Sequence, residues 1–143
     1  MDDAERANRA AEAMWARDAA SKWIGMALDE VGPGRAVMTL TVAADHCNGH
    51  GTCHGGVIFA LADSAFAFAC NSGNAATVAQ HANISFTAPG RLGDVLRAEA
   101  REVSLRGRNG IYDVAVTGSD GVPIAQFRGL SRGVGGHLFE ELP

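Results

Sequence analysis

The sequence predicts an α+β domain in which an antiparallel β-sheet wraps around one apolar helix. Residues 57–71 contain no glycine or proline and are apolar on all sides apart from Asp63 and Ser64, so this helix must be surrounded by protein. Other segments alternate apolar and polar residues, which is typical of half-buried strands. The last four such segments follow one another with short turns, and this favours antiparallel pairing.

Composition narrows the class of protein. The 143 residues suffice for one domain, spanning 1–143, and 47% are apolar. The net charge of −4 argues against a nucleic-acid partner, because neutralising phosphates needs a basic excess. Three cysteines form no disulfide framework, and we identify no signal peptide or membrane-spanning segment. We therefore expect a protein of the reducing cytoplasm with no membrane partner.

The first half of the chain is expected to contain two helices and one strand. Residues 4–23 are alanine-rich and predict an extra N-terminal helix within the region 1–23. The segment 35–43 alternates and predicts a strand. A glycine-rich loop over 45–56 precedes the apolar helix, which should end at Asn71 and Gly73.

Four strands are expected in the second half, over about 78–86, 96–101, 112–116 and 123–132, with a C-terminal tail over 137–143. Asp120-Gly121 is typical of a hairpin turn. Strict alternation would place Gln80 on the same face as Ile84 and Phe86, and we expect that face to point toward the functional site.

The start of the apolar helix is the first candidate for chemistry. The N–H groups at a helix N-terminus lack partners and carry partial positive charge, so they bind anions or polarised carbonyl oxygens. Gly55 and Gly56 would let a ligand approach this backbone closely. The alternative is that His54-Gly55-Gly56 only fits the chain into a tight turn.

Asp63 is the second candidate. An unpaired carboxylate removed from water costs several kcal/mol, so this residue must be paired, hydrogen-bonded, protonated or facing a wet cleft. It is either a structural aspartate or a catalytic carboxylate with a raised pKa, serving as general base or nucleophile.

Geometry constrains how Gly55 and Asp63 could cooperate. They are eight residues apart, which is about 12 Å along a helix. A carbonyl held by the Gly55 N–H cannot also contact Asp63 of the same chain. If both act on one substrate, the aspartate comes from a second subunit, and a two-fold dimer creates two such sites.

Metal and thiol chemistry are weaker hypotheses. The cluster of His46, Cys47, His50, Cys53 and His54 contains zinc-ligand residue types, but its spacing is not that of a known zinc motif, and we expect no metal. A nucleophilic Cys53 is disfavoured because sequence neighbours seldom face each other as nucleophile and base.

Two blocks of sequence resemble a known family. Asn48-Gly49-His50-x-x-Cys53-His54-Gly55-Gly56 is followed by Leu61-Ala62-Asp63-x-Ala65-Phe66-Ala67-x-Ala69-Cys70-Asn71-Ser72. This combination resembles the phenylacetic-acid-degradation thioesterases of the hotdog fold. The likeness continues through Phe86-x-x-Pro89-Gly90, Gly110-x-Tyr112-Asp113 and Phe127-Arg128-Gly129-x-Ser131.

The resemblance implies a hotdog fold and hydrolysis of acyl-coenzyme A thioesters, typically aryl-acetyl ones. It implies no cofactor other than the coenzyme A of the substrate, and a dimer of dimers with the active site shared across the dimer interface. The matching catalytic positions are Asn48, His54, Gly55 and Asp63. Gly55 would polarise the carbonyl, Asp63 would activate water or attack directly, Asn48 would orient water or substrate, and His54 would support the loop.

Substrate-binding residues are also expected. Coenzyme A carries about four negative charges, so an acidic protein must supply a local basic patch. The candidates are Arg91, Arg106 and Arg108, with Arg128 and Arg132 as further candidates. We expect Gly56, Phe59, Phe66, Phe68 and Gln80 near the acyl group.

The chain departs from some members of the family, and other functions remain open. Ala67 stands where some members have threonine, and the segment 78–81 lacks a serine that others carry. One alternative is a hotdog hydratase or dehydratase that uses His54 as a base. Another is an acyl-CoA-binding protein without catalytic activity.

Overall fold

The computed structural model describes residues 1–143 and places the apolar helix at the centre of a curved sheet. The helices are α1 (Asp3–Trp15), α2 (Ala19–Ile24) and α3 (Gly55–Cys70), with one 3-10 turn over Ala44–His46. The strands are β1 (Met26–Gly32), β2 (Arg35–Thr41), β3 (Ala75–Phe86), β4 (Val95–Arg106), β5 (Asn109–Thr117) and β6 (Pro123–His137). The predicted α+β arrangement is confirmed.

The core lies between α3 and the inner face of the sheet. Leu61, Ala62 and Ala65 of α3 are fully buried. The alternating strand residues meet them as predicted, and the inward-facing set includes Met38, Leu40, Leu96, Ala98, Val114 and Val116. Phe66 approaches the backbone so closely at Gly129 that a Cβ there would lie 2.6 Å from the phenylalanine ring. Gly129 is therefore needed for α3 to pack against β6.

The sheet is antiparallel throughout, in the order β1-β2-β4-β5-β6-β3. The expectation that the last four strands pair consecutively is wrong for β3, which pairs with β6 and not with β4. The connection over 87–94 does not form a hairpin because it is bonded to the loop before α3. Cys53 donates its backbone N–H to the Gly90 carbonyl at 2.8 Å, and Thr52 bridges to Arg91.

The N-terminal region differs from the single helix predicted over 4–23. It forms two helices, because Asp18 starts a new one by accepting a hydrogen bond from the Ser21 N–H at 2.9 Å. Strand β1 was not predicted. Its alternation is interrupted by a β-bulge between Leu28 and Glu30, which obscures the two-residue period.

Strands β3 and β6 also depart from the sequence prediction. A β-bulge between Ala79 and His81 leaves Gln80 opposite no residue, so Gln80 does not share the alternation of Ile84 and Phe86. Strand β6 runs to His137 and not to about 132. Its last five residues are rich in glycine and do not alternate apolar and polar residues, so the sequence pattern did not reveal them as part of a strand. The remaining tail is held by Asn74, which bonds the backbone of Leu138 and Phe139.

The two edges of the sheet are not equivalent. Helix α1 packs against β1. Strand β3 forms the other edge and is largely exposed along its twelve residues, with Val78 and Phe86 about half exposed. Its outer N–H and C=O groups are available to pair with another strand.

No helix in the chain has the length and apolar character needed to span a membrane.

Candidate active site

The N-terminus of α3 presents an unpartnered backbone N–H at Gly55. His54 precedes the helix in an extended conformation, with φ −59° and ψ 134°. Its Nδ1 accepts the Gly56 N–H at 2.8 Å, and its carbonyl accepts from Val57 and Ile58. The Gly55 N–H makes no hydrogen bond. The helix therefore aims one free donor, in its positive end, at whatever lies beside Gly55.

An open groove of about 470 Å³ lies beside this donor. Gly55 and Asn48 line it together with Phe86, which brings one end of β3 to the helix N-terminus. A Cβ on Gly55 would lie 3.1 Å from the Phe86 Cζ atom. Glycine therefore leaves room for a ligand atom to reach the N–H beside the aromatic ring.

The side-chain oxygen of Asn48 is hydrogen-bonded within the loop, whereas its side-chain nitrogen is not. Its Oδ1 accepts from the backbone N–H groups of His50 at 2.9 Å and Thr52 at 3.2 Å. Its Nδ2 donates no hydrogen bond within the chain. Asn48 can therefore offer the groove a hydrogen-bond donor, but its acceptor already stabilises the turn over 48–52.

Asp63 lies on the same helix but not in the groove. Its side chain is half-buried and makes no hydrogen bond or ion pair, and burial raises its carboxyl pKa. The helical rise over the eight intervening positions separates Asp63 from Gly55 by about 12 Å. The neighbouring Ser64 bonds the Ser21 hydroxyl at 2.8 Å and not the carboxylate. One chain therefore assembles the Gly55–Asn48 half of the expected constellation without its carboxylate.

His46 has a structural role that the sequence did not predict. Its Nε2 donates to the Ile24 carbonyl at the end of α2, while its Nδ1 accepts the Ala43 N–H at 2.9 Å. Its backbone carbonyl accepts the His54 N–H at 2.8 Å. His46 thus connects α2 to the residue that caps α3. A ring with both nitrogens committed leaves none for a metal, and the structure has no cluster of three or more metal-ligand side chains.

The predicted aromatic residues lie mainly in the core. Phe66 is 1% exposed and packs edge-on against Tyr112, with ring centroids 5.6 Å apart. Phe68 is equally buried. Phe59 is only half-buried and contacts the ring of Phe127 at 5.4 Å. Of these three phenylalanines, Phe59 is the one with surface open to a ligand in the single chain.

The predicted polar binding residues are spread over the sheet. Arg91 lies beside the glycine-rich loop over 45–56, the site loop, through its bridge to Thr52. Arg106 and Arg108 flank the turn between β4 and β5. At the typical rise per residue of a strand, this turn lies about 30 Å or more from the start of β4, the end near Arg91. Gln80 donates to Asn109 at 3.3 Å near that same turn. Arg128 is engaged by Asp113 at 2.6 Å, and Arg132 bonds Asn109 at 3.3 Å.

A second and larger cavity, of about 560 Å³, lies at the opposite end of α3. Cys70, Tyr112 and Arg108 are among its lining residues, while Gly55 and Asp63 are not. Burial raises the pKa of Cys70 to about 12, so its thiol is not an available nucleophile at neutral pH. The candidate residues for chemistry, Gly55 and Asp63, thus lie outside this cavity.

Comparison with known proteins identifies the thioesterase superfamily. The model of the thioesterase superfamily matches residues 50–125, which include Gly55 and all of α3 but not Asn48. The acyl-coenzyme A thioesterase PaaI of Escherichia coli K12 is 42% identical over 131 residues, covering 92% of this chain and 94% of that protein.

Solved structures agree with this assignment. The structure of the E. coli PaaI protein from the phenylacetic acid degradation operon superposes with a TM-score of 0.92 at 41% identity, covering 94% of this chain and 97% of that one. A Streptococcus mutans UA159 protein bound to acetyl CoA superposes with a TM-score of 0.76 at 25% identity, covering 79% and 91% of the two chains.

The role of His46 gives a stability prediction. Replacing His46 with alanine leaves the Ala43 N–H and the Ile24 carbonyl without their partners, so we expect the free energy of unfolding to fall by about 1–3 kcal/mol. Urea denaturation measures this. His50→Ala is the matched control, since that ring is exposed and makes no hydrogen bond, and it should change stability by less than about 0.5 kcal/mol. Equal effects of the two variants would contradict the bracing role.

Proposed function

The chain belongs to the thioesterase superfamily and is a thioester hydrolase with the hotdog fold, and we propose that it cleaves acyl-coenzyme A to the free acid and coenzyme A. One observation carries the proposal. Helix α3 holds both an unpartnered N–H at Gly55 and an unpaired, half-buried carboxylate at Asp63. These are the two groups that thioester hydrolysis requires, a donor for the oxyanion and a base or nucleophile.

We propose that the acyl group is of the phenylacetyl or hydroxyphenylacetyl type. Support comes from the E. coli relative, which is named an acyl-coenzyme A thioesterase. The solved structure of that relative is described as a protein from the phenylacetic acid degradation operon. A more distant structural neighbour was crystallised with acetyl CoA, which supports the coenzyme A part of the substrate. Phe86 and Phe59 offer exposed aromatic surface on which an aryl ring could pack.

The carbonyl oxygen would accept a hydrogen bond from the Gly55 N–H. Negative charge grows on this oxygen as the carbonyl carbon becomes tetrahedral, so a donor fixed in the positive end of a helix stabilises the transition state more than the ground state. Because Gly55 has no side chain, the thioester can approach its backbone closely. Asn48 would add a side-chain donor from the same groove.

Asp63 would act on the other side of the carbonyl. As a general base, its carboxylate takes a proton from water while the water oxygen attacks the carbonyl carbon. The C–S bond then breaks, and coenzyme A leaves as a thiolate that receives the proton held by Asp63. As a nucleophile, Asp63 attacks the carbonyl itself, the C–S bond breaks, and coenzyme A leaves as a thiolate while an anhydride forms. Water then hydrolyses the anhydride to the free acid and the aspartate, and its proton goes to the thiolate. Labelled water distinguishes the two routes, because only the second can place its oxygen in the aspartate, when water attacks the aspartyl carbonyl of the anhydride.

The two groups would meet only across two copies of the chain. Since about 12 Å of helix separates them, a two-fold dimer must bring Asp63 of the partner to the groove at Gly55. The exposed edge strand β3 favours such an assembly, because it ends at Phe86 beside the groove and has unused backbone hydrogen bonds. We further propose that two dimers associate as a tetramer.

The remaining residues would support these roles. His54 fixes the helix N-terminus by capping Gly56, which leaves Gly55 as the free donor. Gly56, Phe59 and Gln80 remain proposed contacts to substrate. Phe66 is buried and would act only indirectly, by packing against Phe127, which in turn contacts Phe59. Arg91, Arg106 and Arg108 have no carboxylate partner and remain the proposed sites for the coenzyme A phosphates. Since Arg91 lies at the other end of β4 from Arg106 and Arg108, it would not share the phosphates of one substrate with those two residues of the same chain. The proposed mechanism uses water, the Gly55 backbone N–H and side chains, so it requires no cofactor beyond the substrate.

Replacing Asp63 with asparagine tests the function directly. We expect release of free thiol from phenylacetyl-CoA to fall by about 100- to 10,000-fold, because the base is lost. Asp45→Asn is the matched control, since this exposed aspartate makes no side-chain hydrogen bond or ion pair, and the substitution should leave turnover unchanged. Unchanged kcat in Asp63→Asn would refute the catalytic role, and absence of thiol release by the unmodified protein from any acyl-CoA would refute the proposed function.

The raised pKa of Asp63 gives a second signature of the same variant. Ionising a buried carboxylate is unfavourable, so Asp63 stabilises the fold below its unfolded pKa and loses that contribution as pH rises through its folded pKa. We expect Asp63→Asn to be more stable than the natural chain at neutral pH. Thermal denaturation should show this difference vanishing below about pH 4. A variant that is less stable at neutral pH would contradict the assignment.

Gly55→Pro isolates the contribution of the amide N–H. Proline fits the first position of a helix, and the extended backbone of His54 suits a residue before proline. Gly55→Ala is the control, because it adds a similar Cβ against Phe86 but keeps the N–H. We expect kcat for the proline variant to be about 100- to 1000-fold below that of the alanine variant. Equal kcat values would exclude the amide as the oxyanion donor.

A further inference from the structure

Two cysteines are paired across the loop that carries the candidate site, and each thiol makes only a weak contact, with the Ala43 carbonyl for Cys47 and the His54 carbonyl for Cys53. The segments on either side of the turn at 48–52 form a short antiparallel ladder in which Cys47 is the partner of Cys53. Both thiols are free, and Cys47 is half-buried while Cys53 is 4% exposed. Neither residue has a role in the proposed hydrolysis.

The hydrogen bonds of this ladder define the geometry of the pair. His54 donates its N–H to the His46 carbonyl, and Asn48 donates to the Thr52 carbonyl, each at 2.8 Å. These bonds flank Cys47 and Cys53 on either side, so the cysteines form a non-hydrogen-bonded pair. Cα atoms in such a pair are about 4.5 Å apart and their side chains lie on the same face.

This separation permits a covalent bond between the two sulfur atoms. Disulfides join residues whose Cα atoms are about 4.4–6.8 Å apart, and the pair falls inside that range. Both side chains also pack on the same core cluster, which confirms that they point to one side of the ladder. The third cysteine, Cys70, lies at the far end of α3 and cannot reach them.

We propose that Cys47 and Cys53 are a redox-active pair that forms a reversible intramolecular disulfide within the site loop. The oxidant is a low-molecular-weight disulfide. The more accessible Cys47 thiolate attacks one of its sulfur atoms and releases one thiol, which leaves a mixed disulfide on Cys47. Cys53 loses its proton and attacks the Cys47 sulfur, which releases the second thiol. The two cysteines are oxidised by two electrons, and the reagent is reduced to two thiols.

The environment of Cys53 sets the order of these steps. Burial, with a smaller contribution from Cys47, raises the pKa of Cys53 to about 11. Cys53 is therefore a poor first nucleophile at neutral pH, and it reacts only once the mixed disulfide is held beside it. The new bond closes a ring around Asn48 and ends one residue before His54, so it constrains the loop that positions the Gly55 amide.

Oxidised glutathione tests the proposal on the full-length protein. After incubation we expect two of the three thiols to be lost without retained glutathione, and dithiothreitol should restore both. Cleavage before Asp45 and Asp63 releases a 45–62 peptide that contains Cys47 and Cys53 but not Cys70. This peptide should lack two hydrogen atoms after oxidation and regain them on reduction.

Matched cysteine variants decide between the outcomes. Cys70→Ser should behave like the natural chain, whereas Cys53→Ser should stop at a glutathione adduct on Cys47. A stable glutathione adduct on Cys47 in the natural chain would overturn the proposal, as would a disulfide between two chains or retention of all three thiols. Because these readouts follow thiols and mass and not turnover, they are independent of the proposed hydrolase activity.

Discussion

One constraint underlies the proposed chemistry: a single helix carries both of its reacting groups, too far apart to act together. Gly55 begins α3 and Asp63 lies eight residues later, so a rigid rise of about 1.5 Å per residue fixes their separation. The helix cannot bend to bring them together, because its apolar sides are enclosed by the sheet. The constraint can be met only by a second copy of the chain, and the exposed edge of β3 lies beside the groove where that copy would bind.

The enclosure of α3 also determines the properties of the two groups. Apolar surroundings raise the pKa of Asp63, which makes its carboxylate a stronger base than an exposed aspartate. At the other end of the helix, His54 caps Gly56 and leaves the Gly55 N–H unused. The positive end of α3 thus keeps one donor without a partner in the chain. The burial of the Asp63 carboxylate costs stability when it is ionised, and both groups are suited to catalysis.

Sequence patterns predicted the parts of the fold that depend on local periodicity. The apolar helix, the alternating faces of β2, β4 and β5 and the turn at Asp120-Gly121 all follow from residue type and spacing. The patterns failed where a bulge or a specific hydrogen bond intervenes. The bulge at Gln80 changes the face that β3 presents, and Asp18 divides the N-terminal helix. The pairing of β3 with β6 depends on long-range contacts of the 87–94 connection that no local pattern records. At the site, glycine and aspartate stood out against an apolar background, whereas the bracing contacts of His46 and the facing of Cys47 and Cys53 emerge only from the folded loop.

The shared site is tested most directly by mixing two inactive variants. Chains with Asp63→Asn retain an intact Gly55 donor, and chains with Gly55→Pro retain an intact Asp63, so a mixed dimer contains one complete site. Random exchange of equal amounts makes half the dimers mixed with one of two sites intact, and the account predicts recovery of about a quarter of the natural activity. Affinity tags on the two variants would verify that mixed dimers form. Mixed dimers with no more activity than either variant alone would contradict the claim that the carboxylate and the amide come from different chains.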